Sequence, residues 1–208
     1  MRGTIIAGTL AFVAGVNAQY YTNQSAPFNL VLTSQNTTLN GSTLGSCHEG
    51  AAIEGLCVAG NVDNEFTGPL NSDSGAYTFN YTTTQATEPT GVNVTGLLTW
   101  LLVGGNFETS SPMQLDPVPT SNVAVPLLEP SEEGQLVAFD ADNKLVIMRT
   151  VDDTQPLPNY SSKALSNWYA CTTDSGYLYQ TLAWVVGTET AVPQNPTCQK
   201  VEVVRVFV

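Results

Sequence analysis

The chain has 208 residues, with 6 basic against 18 acidic side chains, one histidine, four cysteines and a formal charge of −12. Such acidity is unsuited to nucleic acid, whose binders neutralise phosphates with Lys and Arg, and to anionic lipid surfaces. A single imidazole excludes every site built on two, and a hydrophobic fraction of 42% fits a packed domain rather than a disordered acidic tail.

The N-terminus opens with Met1 and Arg2 and continues in an apolar run from Ile5 to Val16, ending Val16-Asn17-Ala18 before Gln19. A basic start, a short apolar stretch and small side chains before a cut are the layout of a secretory signal peptide. Gly3, Gly8 and Gly15 argue against a buried helix here, since each lowers helix stability relative to Ala. Cleavage after Ala18 is expected, leaving residues 19–208 as one secreted β-rich domain. The segment carries Arg2 and no acid, so the mature chain is one unit more negative. No later stretch is long and apolar enough to span a bilayer, and the short end from Val201 to Val208 lacks the layout of a lipid-anchor signal.

Thr and Val are the commonest side chains, while Lys, Arg and Glu, which usually coat exposed helices, are scarce. β-Branched side chains fit a pleated strand and crowd a helix, so the composition leans towards all-β. In chain order the strand-like segments are Phe28 to Leu32, Tyr77 to Thr82, Leu97 to Val103, Leu136 to Phe139, Lys144 to Arg149, Trp168 to Thr172, Tyr177 to Val186 and Lys200 to Phe207. Asp140 to Asn143 form a polar loop that closes a hairpin between two of these. Tyr177 to Val186 and Leu97 to Val103 are apolar on both faces and read as central strands. The expected fold is an antiparallel β-sandwich or partly closed barrel with two disulfides. Residues 104 to 135, rich in Gly and Pro, read as a linker or, preferred here, a long connection over a single domain.

Six N-x-Ser/Thr sequons, at Asn23, Asn36, Asn40, Asn80, Asn93 and Asn159, fit a glycoprotein; Asn195 is excluded because Pro196 follows. The even cysteine count fits disulfides in an oxidising compartment. Of three possible connectivities we favour Cys47 with Cys57 and Cys171 with Cys198, because each pair brackets a compact segment. A zinc site from all four lacks any C-x-x-C pair.

His48 is the only imidazole and sits in Ser46-Cys47-His48-Glu49-Gly50. Ala52 stands where a zincin helix would need its second His, and no G-x-S-x-G elbow is present. A surface His beside a disulfide is the plainer reading. Carboxylate pairs remain as chemistry: Glu49 with Glu54, Asp140 with Asp142, Asp152 with Asp153, since glycoside hydrolysis needs two acids roughly 5 to 10 Å apart. Acids in polar loops are more often solvated charge. Asp140, Asp142 and Asn143, or Asn61, Asp63 and Glu65, carry oxygens suited to calcium, but neither stretch has the Gly and closing Glu of an EF-hand loop. No metal or other cofactor is expected. Trp100, Trp168 and Trp184, with Tyr169, Tyr177 and Tyr179, are either a sugar-stacking platform or core, and core packing is the default use of a large ring.

The segments Val137-Ala-Phe-Asp-Ala-Asp-Asn-Lys-Leu145, Asn167-Trp-Tyr-Ala-Cys171, Gly176-Tyr-Leu-Tyr-Gln-Thr-Leu-Ala-Trp-Val185, Asn195-Pro-Thr-Cys198 and Val201-Glu-Val-Val-Arg-Val206, with Phe28-Asn-Leu30 and Ser46 to Cys57 upstream, resemble uncharacterised small secreted proteins of filamentous ascomycete fungi. More loosely, their order resembles the PhiA-type cell-wall proteins. The resemblance implies secretion, association with the cell wall and a β-rich fold, and supplies no catalytic residue. The expectation is therefore a non-enzymatic extracellular glycoprotein acting at or near the cell wall, with cell-wall polysaccharide or a host extracellular component as the candidate partners. The alternatives are a carboxylate-dependent glycan-active enzyme and a secreted effector or allergen that binds a host extracellular component.

Overall fold

The computed structural model describes residues 23–59, 78–83, 92, 94–154 and 156–208. The expected signal-peptide segment, Asn93 and the trio Asn61, Asp63 and Glu65 lie outside the described residues. Among the described residues there are fifteen strands and no helix. The N-terminal strands are β1 (Asn23–Gln24), β2 (Phe28–Thr33), β3 (Thr43–Gly50), β4 (Ile53–Ala59) and β5 (Asn80–Thr83). The middle strands are β6 (Gly96–Val103), β7 (Glu108–Pro117), β8 (Val123–Leu128), β9 (Leu136–Phe139) and β10 (Leu145–Asp152). The last are β11 (Asn159–Leu165), β12 (Trp168–Asp174), β13 (Leu178–Val185), β14 (Gln199–Lys200) and β15 (Glu202–Phe207).

The strands form one antiparallel sheet in the order β11-β10-β9-β6-β7-β8-β13-β4-β3-β2-β15, with β1, β5, β12 and β14 branching from this path. The sheet curls into a half-barrel, and a bridge between Lys144 and Val204 brings β15 against the start of β10. The expected partly closed, all-β architecture with two disulfides is what forms. Period-2 alternation explains the inner surface. In β2, Phe28, Leu30 and Leu32 face the core, while β15 pairs with it and contributes Val203 and Arg205. Phe139 stands edge-on to Phe28 at 5.5 Å and to Tyr81 at 5.2 Å, and the Tyr81 hydroxyl donates to backbone carbonyls of Val94 or Val137.

Residues 104 to 135 correct the sequence reading, for they hold β7 and β8 rather than a linker or loose connection. Proline removes a ladder donor, so it argues against a strand unless the position needs none. Here Pro112 and Pro126 stand where a strand changes partner, and Pro117 ends β7. β7 pairs with β6 up to Pro112 and with β8 from Met113 onward. On the side of β8 away from β7, Val123 and Ala124 pair with β13, and Leu127 and Leu128 with β4, leaving Pro126 in the gap. All six residues of β8 are buried.

Two strands expected to be covered on both faces are covered along only part of their length. β6 is buried from Gly96 to Thr99, but Leu101 and Val103 are exposed. β13 is central, pairing with β12, β4 and β8, and its buried part runs from Thr181 to Val185, whereas Leu178 is exposed. The exposed start of β13 lies beside the β3–β4 hairpin, where the sequence places its only histidine.

Candidate functional site

β3 and β4 form a hairpin in which Cys47 stands opposite Gly55 and Cys57 opposite Gly45, so the Cys47–Cys57 disulfide runs diagonally between the strands. Its Cα atoms are 5.8 Å apart, within the span a disulfide bridges without backbone movement. Gly55 leaves room beside it. A Cβ there would stand 3.1 Å from both the Cys47 sulfur and the Glu49 Cγ, and 3.2 Å from Glu49 Oε1.

The ladder pairs His48 with Glu54, then slips at Glu49 and resumes at Gly50 with Ile53. Glu49 is the extra residue of a β-bulge, a device that re-aims a side chain. It is turned inward and only 4% exposed. His48 Nδ1 lies 3.6 Å from Glu54 Oε1, an ion pair when the imidazole is protonated.

The facing wall is the β12–β13 hairpin, closed by Ser175, Gly176 and Tyr177 between the paired Asp174 and Leu178. Asp174 Oδ1 accepts the Gly176 amide at 3.1 Å. Gly176 has φ +137°, a conformation open to glycine and strained for L side chains, and a Cβ there would stand 2.3 Å from the Glu49 carbonyl oxygen. The close approach lets the Tyr177 amide donate to Glu49 Oε2 at 3.1 Å.

Three rings gather above this contact. The His48 and Tyr177 rings are 5.5 Å apart, and those of Tyr177 and Tyr179 are 6.1 Å apart and tilted by 33°. Tyr177 is 48% exposed. Burial raises the Glu49 carboxyl above its ordinary range, as do the nearby Asp174 and Glu54 charges, against the opposing pull of the Tyr177 amide and His48. Burial also raises the Glu54 carboxyl, against the pull of His48. The Tyr179 hydroxyl is raised, chiefly by burial and then by the Glu49 charge. Glu49 Oε1 is enclosed with no hydrogen-bond partner.

This arrangement presents flat, partly wet rings with a carboxylate at their edge. Aromatic rings of this kind offer an apolar face and polar groups together, which suits sugar rings and other amphipathic ligands. As a catalytic acid Glu49 is poorly placed, because it is withdrawn from solvent and one of its oxygens is taken by a backbone amide. Among the described residues no set of three or more metal-ligating side chains comes together.

The other sequence candidates fall elsewhere. Trp168 and Trp184 are core residues in edge contact at 4.7 Å, with the Trp168 indole donating to the Leu145 carbonyl at 2.8 Å, and Trp100 packs against the same core. The Tyr169 ring carries the Lys200 ammonium 4.7 Å from its centre. Of the ring candidates, Tyr177 and Tyr179 alone join the site. Asp140 Oδ1 accepts the amides of Asp142 and Lys144, and Asn143 Oδ1 accepts from Arg205, so of the suggested calcium oxygens Asp140 holds the turn together and Asn143 ties it to β15. Asp152 pairs with Arg149 and Thr154, and its carboxyl is lowered, first by the Thr154 hydrogen bonds and then by Arg149.

The second disulfide, Cys171–Cys198, ties β12 to the segment before β14. Both favoured pairings form. Two disulfides in a small β protein are consistent with an extracellular protein. Of the described sequons, Asn40 and Asn159 are exposed, Asn23, Asn36 and Asn80 are half-buried, and Asn80 Nδ2 donates to the Ser25 carbonyl at 3.0 Å.

Gly176 and Gly55 were not singled out in the sequence. The Ser175-Gly176 dipeptide before an aromatic strand is a turn signal that marks the first; the need for Gly55 follows from the bulge and shows only in the folded chain.

A family model described as a domain of unknown function (DUF7907) matches residues 25–207. The chain belongs to this family. The match runs from just after β1 to the end of β15 and includes both disulfides and the hairpin-end site. No curated protein and no solved structure matches the chain.

Proposed function

We propose that this DUF7907 protein is a secreted, glycosylated fungal protein that binds cell-wall polysaccharide without cleaving it, through Tyr177, Tyr179 and His48. The observation that carries the reading is the pair of adjacent, modestly tilted tyrosine rings at an exposed hairpin end, while the tryptophans lie in or against the core. The disulfides, the sequons, the signal-peptide layout and the resemblance to small secreted ascomycete proteins support an extracellular site of action. The test is co-sedimentation of purified protein with insoluble glucan, chitin and mannan. Wild type is retained on at least one of them, and the Tyr177→Ala/Tyr179→Ala double variant is released at least about 10-fold more readily, the equivalent of ~1.4 kcal/mol. No retention on any of the three, or equal retention of the variant, overturns it.

A second reading, a carboxylate-dependent glycan-active enzyme, is favoured by one observation: Glu49 and Glu54, neighbours at this hairpin end, both have carboxyls raised by burial. A raised carboxyl is what a general acid needs. Release of reducing ends from the same polysaccharides, abolished in Glu54→Gln, establishes this reading, and its absence from wild type rejects it.

A further inference from the structure

We infer that Glu49 is a positioning residue for the ring surface, its carboxyl fixing the Tyr177 backbone and, through it, the spacing of Tyr177, Tyr179 and His48. This rests on the glycan-binding reading only for its consequence; the Glu49–Tyr177 coupling itself is a separate claim.

The arrangement around Glu49 is specific. A bulge turns the side chain inward from β3, and two glycines from different hairpins lie against the residue: Gly55 on β4 beside the side chain and Gly176 in the β12–β13 loop against the Glu49 carbonyl. Glu49 Oε2 takes the amide of Tyr177, which lies 128 residues away in sequence, and this bond joins the two hairpin ends. Glu49 is 4% exposed, so water does not readily replace the carboxyl as acceptor. If the contact is lost, the Tyr177 amide is left without that acceptor beside a closely packed loop.

The ionisable groups around the carboxyl are His48 on β3, Glu54 on β4, Asp174 on β12, and Tyr177 and Tyr179 at the β13 end. The carboxylate is a stronger acceptor than the protonated acid. Proton uptake by Glu49 therefore weakens the hold on Tyr177 at acidic pH. His48 and Glu54 meet the ring surface through a different contact, the His48–Glu54 pair.

The experiment follows the Tyr177 backbone amide by 15N–1H NMR in the intact protein, from about pH 4 to pH 8. It also compares wild type with Glu49→Gln, Glu49→Ala and Glu54→Gln. In wild type the Tyr177 amide resonance titrates, with a midpoint above the ordinary carboxyl value of 4.5. Glu54→Gln keeps that titration. Glu49→Gln abolishes it while preserving protection of the amide from exchange, because the side-chain carbonyl still accepts. Glu49→Ala raises Tyr177 amide exchange at least about 10-fold and weakens polysaccharide retention by a similar factor, and Glu49→Gln restores most of it. A Tyr177 amide that does not titrate in wild type overturns the inference without reference to any variant, which covers the case of Glu49→Ala failing to fold. A Tyr177 titration that persists in Glu49→Gln also overturns it. If wild type binds none of the polysaccharides while its Tyr177 amide titrates through Glu49, the glycan reading falls and the positioning role stands.

Discussion

Arg205 docks on Asn143 across the seam of the half-barrel. Its Nη2 and Nε lie 3.0 and 3.3 Å from Asn143 Oδ1, and its backbone amide donates to the Asn143 carbonyl at 2.9 Å. The guanidinium is buried over the Phe139 and Phe207 rings, 4.3 and 4.7 Å from their centres. A planar, weakly hydrated cation serves this place, stacking on rings while its edge donates. Lysine keeps the charge and loses the fork. Arg205→Lys is therefore expected to destabilise the fold by about 2 kcal/mol, read as a lower urea midpoint at unchanged slope.

Gly176→Ala adds a Cβ that would stand 2.3 Å from the Glu49 carbonyl oxygen, at a φ of +137°. Strain and collision together are expected to lower stability by ~2–4 kcal/mol. Gly105→Ala is the contrasting control, with open space around its Cα. Equal urea midpoints for the two variants would contradict the close packing of the hairpin ends.

Stability should rise on mild acidification from neutral pH. A carboxyl raised by burial makes the folded state bind more protons than the unfolded one, so the charge of Glu49 and Glu54 lowers stability at neutral pH, and the loss disappears as pH falls through their folded values towards 4.5. The net charge of −12 adds self-repulsion that acidification also relieves. Urea midpoints measured along this range should increase towards acid in wild type and rise less steeply in Glu49→Gln. An identical slope in both proteins would remove Glu49 from the account.

Peptide mapping without reduction should return Cys47–Cys57 and Cys171–Cys198, and a Cys47–Cys198 peptide would contradict the fold. Replacing Cys47 and Cys57 together by Ala is expected to cost about 3 kcal/mol of stability by releasing loop entropy to the unfolded chain.

The strands that could be read in the sequence were those whose pattern is local. β2, the β9–β10 hairpin, β12, β13 and β15 each carry their own alternation or apolar run, and Asp140 to Asn143 mark a turn. β7 and β8 were obscured by Pro112 and Pro126, whose tolerance depends on which neighbour each residue faces, a property of pairing across the sheet. β3 and β4 were obscured by Gly, Cys and Glu, poor strand formers placed there by a diagonal disulfide and a bulge. The site was legible to the same extent. His48, Glu49, Glu54, Tyr177 and Tyr179 drew attention by type, yet nothing in the one-dimensional pattern says that Glu49 turns inward or that Gly176 comes to rest against it. The tryptophans went to the core because a large ring gains most from burial there.

The two disulfides lie on one flank of the half-barrel, within or beside β3, β4, β12 and β14. The opposite flank, β9 to β11, has none, and among the described residues β11 pairs only with β10, through a ladder that shifts register after Arg149. Breathing motions should therefore be unequal: amide exchange and protease nicking begin at β11, where Tyr160 is 79% exposed, and spread inward from there. The ring surface at the hairpin ends belongs to the cross-linked flank, so a molecule frayed along its far rim keeps that surface in shape.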